Sequence, residues 1–164
     1  MATQSEINEA KARWAEHCKL VQAMTGTEVL VQETPAQKQK RIKRLLAHYD
    51  QFCEYYFPHY LTRTDPDTGE IKITRNASFH NKGAEKLRKN RNYKGVWKWP
   101  RAHAKSTHLD VFIPCWLKEQ KQLHFMVLVG KSEDSAKELL ASLQAELEFN
   151  QRLKEDFGEQ KNSG

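Results

Sequence analysis

The chain has 164 residues, 38% of them hydrophobic, and a formal net charge of +6; this is the size of one domain or of a domain with extensions, with enough apolar mass to exclude wholesale disorder. Its three cysteines, Cys18, Cys53 and Cys115, are odd in number and far apart, which excludes a disulfide framework and a paired zinc motif and leaves buried thiols. No apolar run approaches the roughly 20 residues of a membrane helix, and the amino terminus lacks the basic-then-apolar layout of a secretory signal, so a soluble, intracellular chain is expected.

The first segment reads as a helix. Ile7, Ala10, Trp14, Cys18 and Val21 recur at three- and four-residue steps, which puts them on one face. Thr3 or Ser5 is positioned to cap it. Thr25-Gly26-Thr27 breaks the pattern, and residues 25–34 read as a linker. A second helix opens at Thr34-Pro35, a capping residue followed by proline in the first turn. Its apolar face is Ile42, Leu45, Leu46, Tyr49, Phe52, Cys53 and Tyr56, and Pro58 ends it. A basic cluster, Lys38, Lys40, Arg41, Lys43 and Arg44, lies near its start. Residues 1–57 are thus expected to form a helical appendage that docks on the rest of the chain or on another subunit.

Next, LTRTDPDTGEIKIT pairs two short alternating runs around a turn rich in Asp, Pro and Gly, the pattern of a β-hairpin. Its acidic spacing does not make a calcium loop, because Gly69 and Glu70 stand where a further oxygen ligand and the sharp-turn glycine belong. Ser78 is positioned to cap a helix running to about Asn90. From Lys82 to Lys98 there are seven basic residues against one acid, Glu85, a charge that suits a polyanion. From Glu133 to Glu159 the balance reverses, with eight acids against Lys137, Arg152 and Lys154, as a face for a protein partner would.

Residues 93–99 alternate like a strand, residues 100–104 read as a loop, and a helix is expected from Lys105 to about Glu119 with a kink at Pro114. His124 to Val129 is a continuous apolar run of the kind buried in a parallel sheet. Ser132 or Asp134 caps a long helix with Ala136, Leu139, Leu140, Leu143 and Leu147 on one side. Strand, loop, helix, strand, helix predicts an α/β fold with a right-handed crossover.

The junction Trp99-Pro-Arg-Ala-His-Ala-Lys-Ser-Thr107 carries the most chemistry. A phosphate-binding loop needs a helix whose amino end faces the anion, a lysine for the outer phosphates and a hydroxyl for magnesium. Lys105 and Ser106 open the expected helix in that way. Against the general glycine pattern the first glycine is Trp99 and the last is Ala104, which has to adopt a conformation that glycine adopts more easily.

Arg101, Ala104, Lys105 and Ser106 match, position by position, the altered Walker A loop of tailed-bacteriophage terminase large subunits, the ATPases that drive DNA into capsids. Phe57-Pro58-His59-Tyr60, Ser78-Phe79-His80 and the block from Met126 to Gly158, with its Ala-x-x-Leu and Asn-x-x-Leu-x-x-Asp-Phe-Gly spacing, also resemble that family. The resemblance covers about residues 52–158. It implies an α-helical amino-terminal appendage and a short hairpin, followed over residues 58–158 by the first part of a P-loop NTPase, a parallel sheet with flanking helices. Residues 159–164 would be a disordered tail.

The resemblance further implies ATP and magnesium as cofactors. Arg101 and Lys105 would be catalytic, with Lys105 on the β- and γ-phosphates and Arg101 neutralising charge on the γ-phosphate. Ser106 would hold magnesium and Thr107 would assist at the α-phosphate. Pro100, Ala102, His103 and Ala104 would complete the loop, with Phe79 and His80 on the adenine side. The implied setting is a bacterial host's cytoplasm, and the implied partners are double-stranded DNA through the full-length protein, a terminase small subunit, a portal protein and other copies of the chain. No acidic strand for magnesium and water activation and no nuclease cluster follow in these 164 residues, so the chain is expected to be inactive in hydrolysis by itself. The alternative reading is a non-catalytic DNA-binding or docking module that uses the basic segment 82–98.

Overall fold

A computed structural model describes residues 3–26 and 33–160. Helix α1 (Gln4–Thr25) starts with a reciprocal cap: the Glu6 amide donates to Thr3 Oγ1 (3.3 Å) and the Thr3 amide donates to Glu6 Oε2 (2.6 Å). Only Cys18, Val21 and Thr25 of α1 are buried, so its first turns project from the core. The expected linker begins at Gly26, and its central residues 27–32 lie outside the described residues.

Helix α2 (Pro35–Ala47) opens with the same device, Thr34 and Gln37 exchanging side-chain and backbone hydrogen bonds, and with Pro35 in its first turn. The single helix expected from Pro35 to Tyr56 is divided. His48 takes an extended conformation (φ −125°, ψ 105°) between α2 and α3 (Tyr49–Tyr56). The bend turns Leu45 and the Tyr49, Phe52, Cys53, Tyr56 face toward one core. Pro58 then starts the one-turn helix α4 (Pro58–Leu61), a position where its missing N–H costs nothing.

The hairpin forms as expected. Strands β1 (Thr62–Thr64) and β2 (Ile71–Ile73) are antiparallel with Arg63 opposite Lys72. Asp65 Oδ1 accepts from the Asp67 and Thr68 amides, and Gly69 supplies the left-handed turn residue at φ +68°.

Helix α5 (Ser78–Lys89) is entered from Ala77 rather than capped by Ser78; the Ala77 amide donates to the ring Nδ1 of His80 (3.1 Å). The expected kink at Pro114 takes the form of a π-helical stretch (Thr107–Phe112) running into α6 (Ile113–Glu119). A proline in regular α-helix would collide with the carbonyl of Asp110. The widened turn avoids this by pairing the Ile113 amide with the His108 carbonyl, five residues back. Helix α7 (Glu133–Phe149) is capped by Ser132, and α8 (Gln151–Phe157) by Asn150.

The parallel sheet is not formed, which corrects the α/β, P-loop NTPase expectation: among the described residues the only sheet is the two-stranded antiparallel hairpin. Residues 93–99 and 124–129 are irregular, with no ladder partner. The second run is largely uncovered, Phe125, Val127 and Val129 being 82%, 65% and 85% exposed. The physical reason is lateral. An apolar alternating run becomes a strand only when a neighbour satisfies its backbone groups, and the described residues bring none alongside.

One core joins α2, α3, α5, α6 and α8. Phe57 stacks on Phe112 (4.6 Å between ring centres), and Trp116 lies against Tyr49 and donates its Nε1–H to the Leu46 carbonyl (3.0 Å). Residues 35–57 are therefore docked on the rest of this chain and supply much of its interior. All three thiols are buried and unpaired, and burial raises the Cys53 thiol to about 12.

The carboxy-terminal Asn-x-x-Leu-x-x-Asp-Phe-Gly acts here as a clamp. Asn150 caps α8 through the Leu153 amide (3.1 Å), and its Nδ2 donates to the Tyr56 carbonyl (2.7 Å) and to Glu146 Oε2 (2.8 Å). Leu153 is buried, Phe157 packs on the Tyr56 ring, and Gly158 leaves the helix at φ +81°. Asp156 receives Arg41, Lys38 and the Tyr56 hydroxyl.

Candidate functional site

Residues 93–99 are laid over α5 by aromatic side chains at Tyr93, Trp97 and Trp99 that alternate with the basic Lys94 and Lys98. Trp97 and Trp99 turn inward, where their rings rest on Gly83; a Cβ at Gly83 would stand 3.1 Å from each indole. Phe79 meets Trp99 edge-on at 5.3 Å. Lys94 and Lys98 turn outward and are exposed. This two-residue alternation is real, but it serves packing on a helix instead of a sheet.

The loop that follows is exposed from Pro100 to Ser106. Ala102 and Ala104 both adopt left-handed backbone, at φ +62° and +50°. For a residue with a Cβ that conformation costs about 1–2 kcal/mol, so the loop is held there by its neighbours. His103 Nδ1 pairs with the Arg101 carbonyl (2.8 Å), and His80 Nε2 pairs with the His103 carbonyl (3.0 Å). The chain then enters helix at Lys105, and the His108 amide closes onto the Ala104 carbonyl (3.0 Å). A helix start leaves its first amides without intrahelical acceptors and carries partial positive charge.

Arg101 and Lys105 are exposed and make no ion pair among the described residues. Ser106 and Thr107 line a recess of about 120 Å³ together with Tyr60, Asp110, Glu138 and Ser142. Burial raises the Asp110 carboxyl above its ordinary value. Asp110 and Glu138 come from helical segments on either side of the recess, and no spacing rule in the sequence pairs them. Hydroxyl and carboxylate oxygens of this kind suit a hard cation such as magnesium. Among the described residues no group of three or more His, Cys, Asp and Glu stands close enough to hold a metal by itself.

Phe79 and His80, expected on the adenine side, lie in the packing beneath the loop. His80 is 7% exposed and has both ring nitrogens engaged, so it supports the loop from behind. The ring of His108, absent from the sequence-based assignment, stacks on His80 at 3.9 Å and pairs through Nδ1 with the Tyr49 hydroxyl (2.7 Å). Burial lowers His108 to about 3 and His80 below its ordinary value.

The two basic clusters differ in use. Near the start of α2, Arg41 and Lys38 are taken up by Asp156, with Glu33 also on Arg41. On α5, Lys86 lies over the Tyr93 ring and Arg88 and Lys89 pair with Glu85. Lys82, Arg91, Lys94 and Lys98 stay exposed and, among the described residues, without an ion pair. No described helix is long and apolar enough to cross a membrane. Compared with protein-family models, curated proteins and solved structures, the chain matches none.

Proposed function

We propose that the loop at residues 100–107 binds the triphosphate of ATP with magnesium, as the nucleotide-binding part of a DNA-packaging motor of the terminase large-subunit kind. The supporting observation is the loop itself: two left-handed alanines leading into an exposed helix start, with Arg101 and Lys105 free to turn toward an anion. The reading rests on this loop and the matching residues around it, and does not invoke a parallel sheet.

In this reading Lys105 meets the β- and γ-phosphates, and Arg101 neutralises the outermost oxygens. Thr107 turns to the α-phosphate. Ser106 ligates magnesium, with Asp110 and Glu138 on the same recess as further oxygen donors. Bound magnesium would draw charge off the phosphate oxygens. Duplex DNA, a small subunit, a portal protein and further copies of the chain are the partners such a motor uses.

Titration of the protein with ATP and magnesium, read by calorimetry and by amide exchange across residues 100–107, tests the proposal. Lys105→Ala is expected to weaken binding about 10- to 100-fold, the worth of a hydrogen bond to a charged group. Loss of protection should be confined to the loop. ATP that binds with equal affinity to both proteins would overturn it.

The exposed set Lys82, Arg91, Lys94 and Lys98 favours a second reading, attachment to a nucleic-acid backbone. It predicts affinity for any duplex that falls steeply with salt, is indifferent to ATP, and falls only slightly in Lys105→Ala, which removes one charge of a larger patch. The same two proteins therefore separate the readings.

A further inference from the structure

We propose that His80 is the positioning residue of the 100–107 loop: its neutral ring holds the anion-binding conformation, and uptake of a proton by that ring releases it. The inference deepens the phosphate-loop reading and rests on it for the ligand, but the restraint itself is a property of the free protein.

The argument begins with strain. Two alanines held at positive φ on either side of His103 need an outside tether. The carbonyl between them, that of His103, accepts one hydrogen bond from another element, from His80 Nε2 at 3.0 Å. The other ring nitrogen decides which tautomer this is. Nδ1 faces the Ala77 amide at 3.1 Å, and a backbone amide only donates. Nδ1 must then be bare, and the ring's single proton sits on Nε2, aimed at the loop.

A second proton has nowhere to go. Placed on Nδ1 it would meet the Ala77 N–H donor to donor, and the ring would have to turn away from both partners. The surroundings add to the penalty. The titratable groups around the ring are His108, stacked on it from the π-helical stretch, and His103 from the loop; Tyr49 of α3 stands behind His108. The His103 carbonyl favours the charged form, but burial and the His103 ring oppose it, and burial prevails. Trp99 and Phe79 close the remaining sides with aromatic surface.

The consequence runs against intuition for a basic site. Where anion binding depends only on cationic side chains, acidification adds charge and tightens it. Here, acidification through the ring's own range, which burial sets below the ordinary histidine value of about 6.5, removes the tether, so affinity falls.

Two variants separate positioning from bulk structure. His80→Phe keeps the aromatic stack and loses both hydrogen bonds. His80→Gln keeps a donor amide able to reach the His103 carbonyl and does not titrate. In the free protein, exchange of the His108 amide, which closes onto the Ala104 carbonyl, taken relative to its intrinsic rate at each pH, is expected to accelerate in His80→Phe at pH 7.5, and in the wild type as the pH falls toward 4.5, while in His80→Gln the ratio stays flat. ATP affinity should drop about tenfold in His80→Phe, the worth of one hydrogen bond, and His80→Gln should restore it. Titration of the nucleotide's own phosphates is common to all three proteins, so the difference between wild type and His80→Gln isolates the ring.

Unchanged exchange of the His108 amide in His80→Phe, or one pH profile shared by wild type and His80→Gln, would overturn the proposal. If ATP binds none of the proteins, the phosphate reading fails, and the exchange data on the free protein still decide whether His80 tethers the loop. Should His80→Phe fail to fold, the comparison of wild type with His80→Gln across pH stands by itself.

Discussion

Replacing Arg41 with alanine is expected to lower stability by about 3 kcal/mol, the lower end of the cost of breaking a buried ion pair, because Lys38 stays near the carboxylate. The carboxylate is Asp156, whose side chain is 1% exposed. Arg41 grips it with both terminal nitrogens, Nη1 to Oδ2 at 2.6 Å and Nη2 to Oδ1 at 2.9 Å. The Tyr56 hydroxyl donates to Oδ2 at 2.7 Å, and Lys38 stands 3.5 Å from Oδ1. The hydrogen bonds to Asp156 raise the Arg41 guanidinium above its already high value. Without Arg41, the hydroxyl of Tyr56 and the partly exposed Lys38 are all that remain on the carboxylate.

Urea denaturation followed by circular dichroism measures this effect. The double variant Arg41→Met, Asp156→Leu is expected to recover most of the loss, because it removes both charges and their desolvation together. A single variant that unfolds at the wild-type urea concentration would show that the pair is not a stabilising contact. The site matters beyond its size: it pins α8 to α2 and α3, and α8 closes the core beneath the helix that begins at Lys105.

The second large effect is a dependence on pH centred on His108. Its ring is 2% exposed and carries a folded value of about 3. In the unfolded chain the same ring takes its proton near 6.5. Between those limits the unfolded state binds more protons, so stability rises with pH across the window and is lost as the pH falls from 6.5 toward 3. The full contribution has an upper bound of about 5 kcal/mol at about 1.4 kcal/mol per unit. His17 and His80, also lowered by burial, act in the same sense. Asp110 and Glu119, raised by burial, act in the opposite one.

The decisive quantity is therefore a difference between proteins. His108→Asn leaves a hydrogen-bonding atom near the place of Nδ1 for the Tyr49 hydroxyl and does not titrate. Urea midpoints measured from pH 4 to 8 should converge as the pH falls, the variant losing less stability than the wild type. Parallel profiles would mean that the imidazole of His108 is not the acid-sensitive element.

Both predictions come from contacts that bridge long stretches of chain, and this is where reading along the sequence stopped. The basic cluster around Arg41 was legible only as a run of charge near the start of a helix, yet its central residue reaches a carboxylate 115 positions away. The loop at residues 100–104 was legible from Pro100 and the Lys-Ser-Thr that follows, and the awkward position of Ala104 could be anticipated. Nothing in the local pattern pointed to Ala102 as a second left-handed residue. Nor could spacing show that His80 and His108, 28 positions apart, would stack beneath the loop, or that Asp110 and Glu138 would share a recess with Ser106.

The amino-acid sequence alone determined the features that act within a turn or two of helix. Thr3 and Glu6, Thr34 with Gln37, and Ser132 start helices because their side chains reach amides three residues on. Asp65 and Gly69 make the hairpin turn for equally local reasons. Only the tertiary structure decided the fate of the run Phe125–Val129, and with it the fold class. A strand's backbone groups are satisfied by a neighbour and never by the strand itself. The same run can lie in a sheet or lie exposed, and what the rest of the chain brings alongside makes the choice.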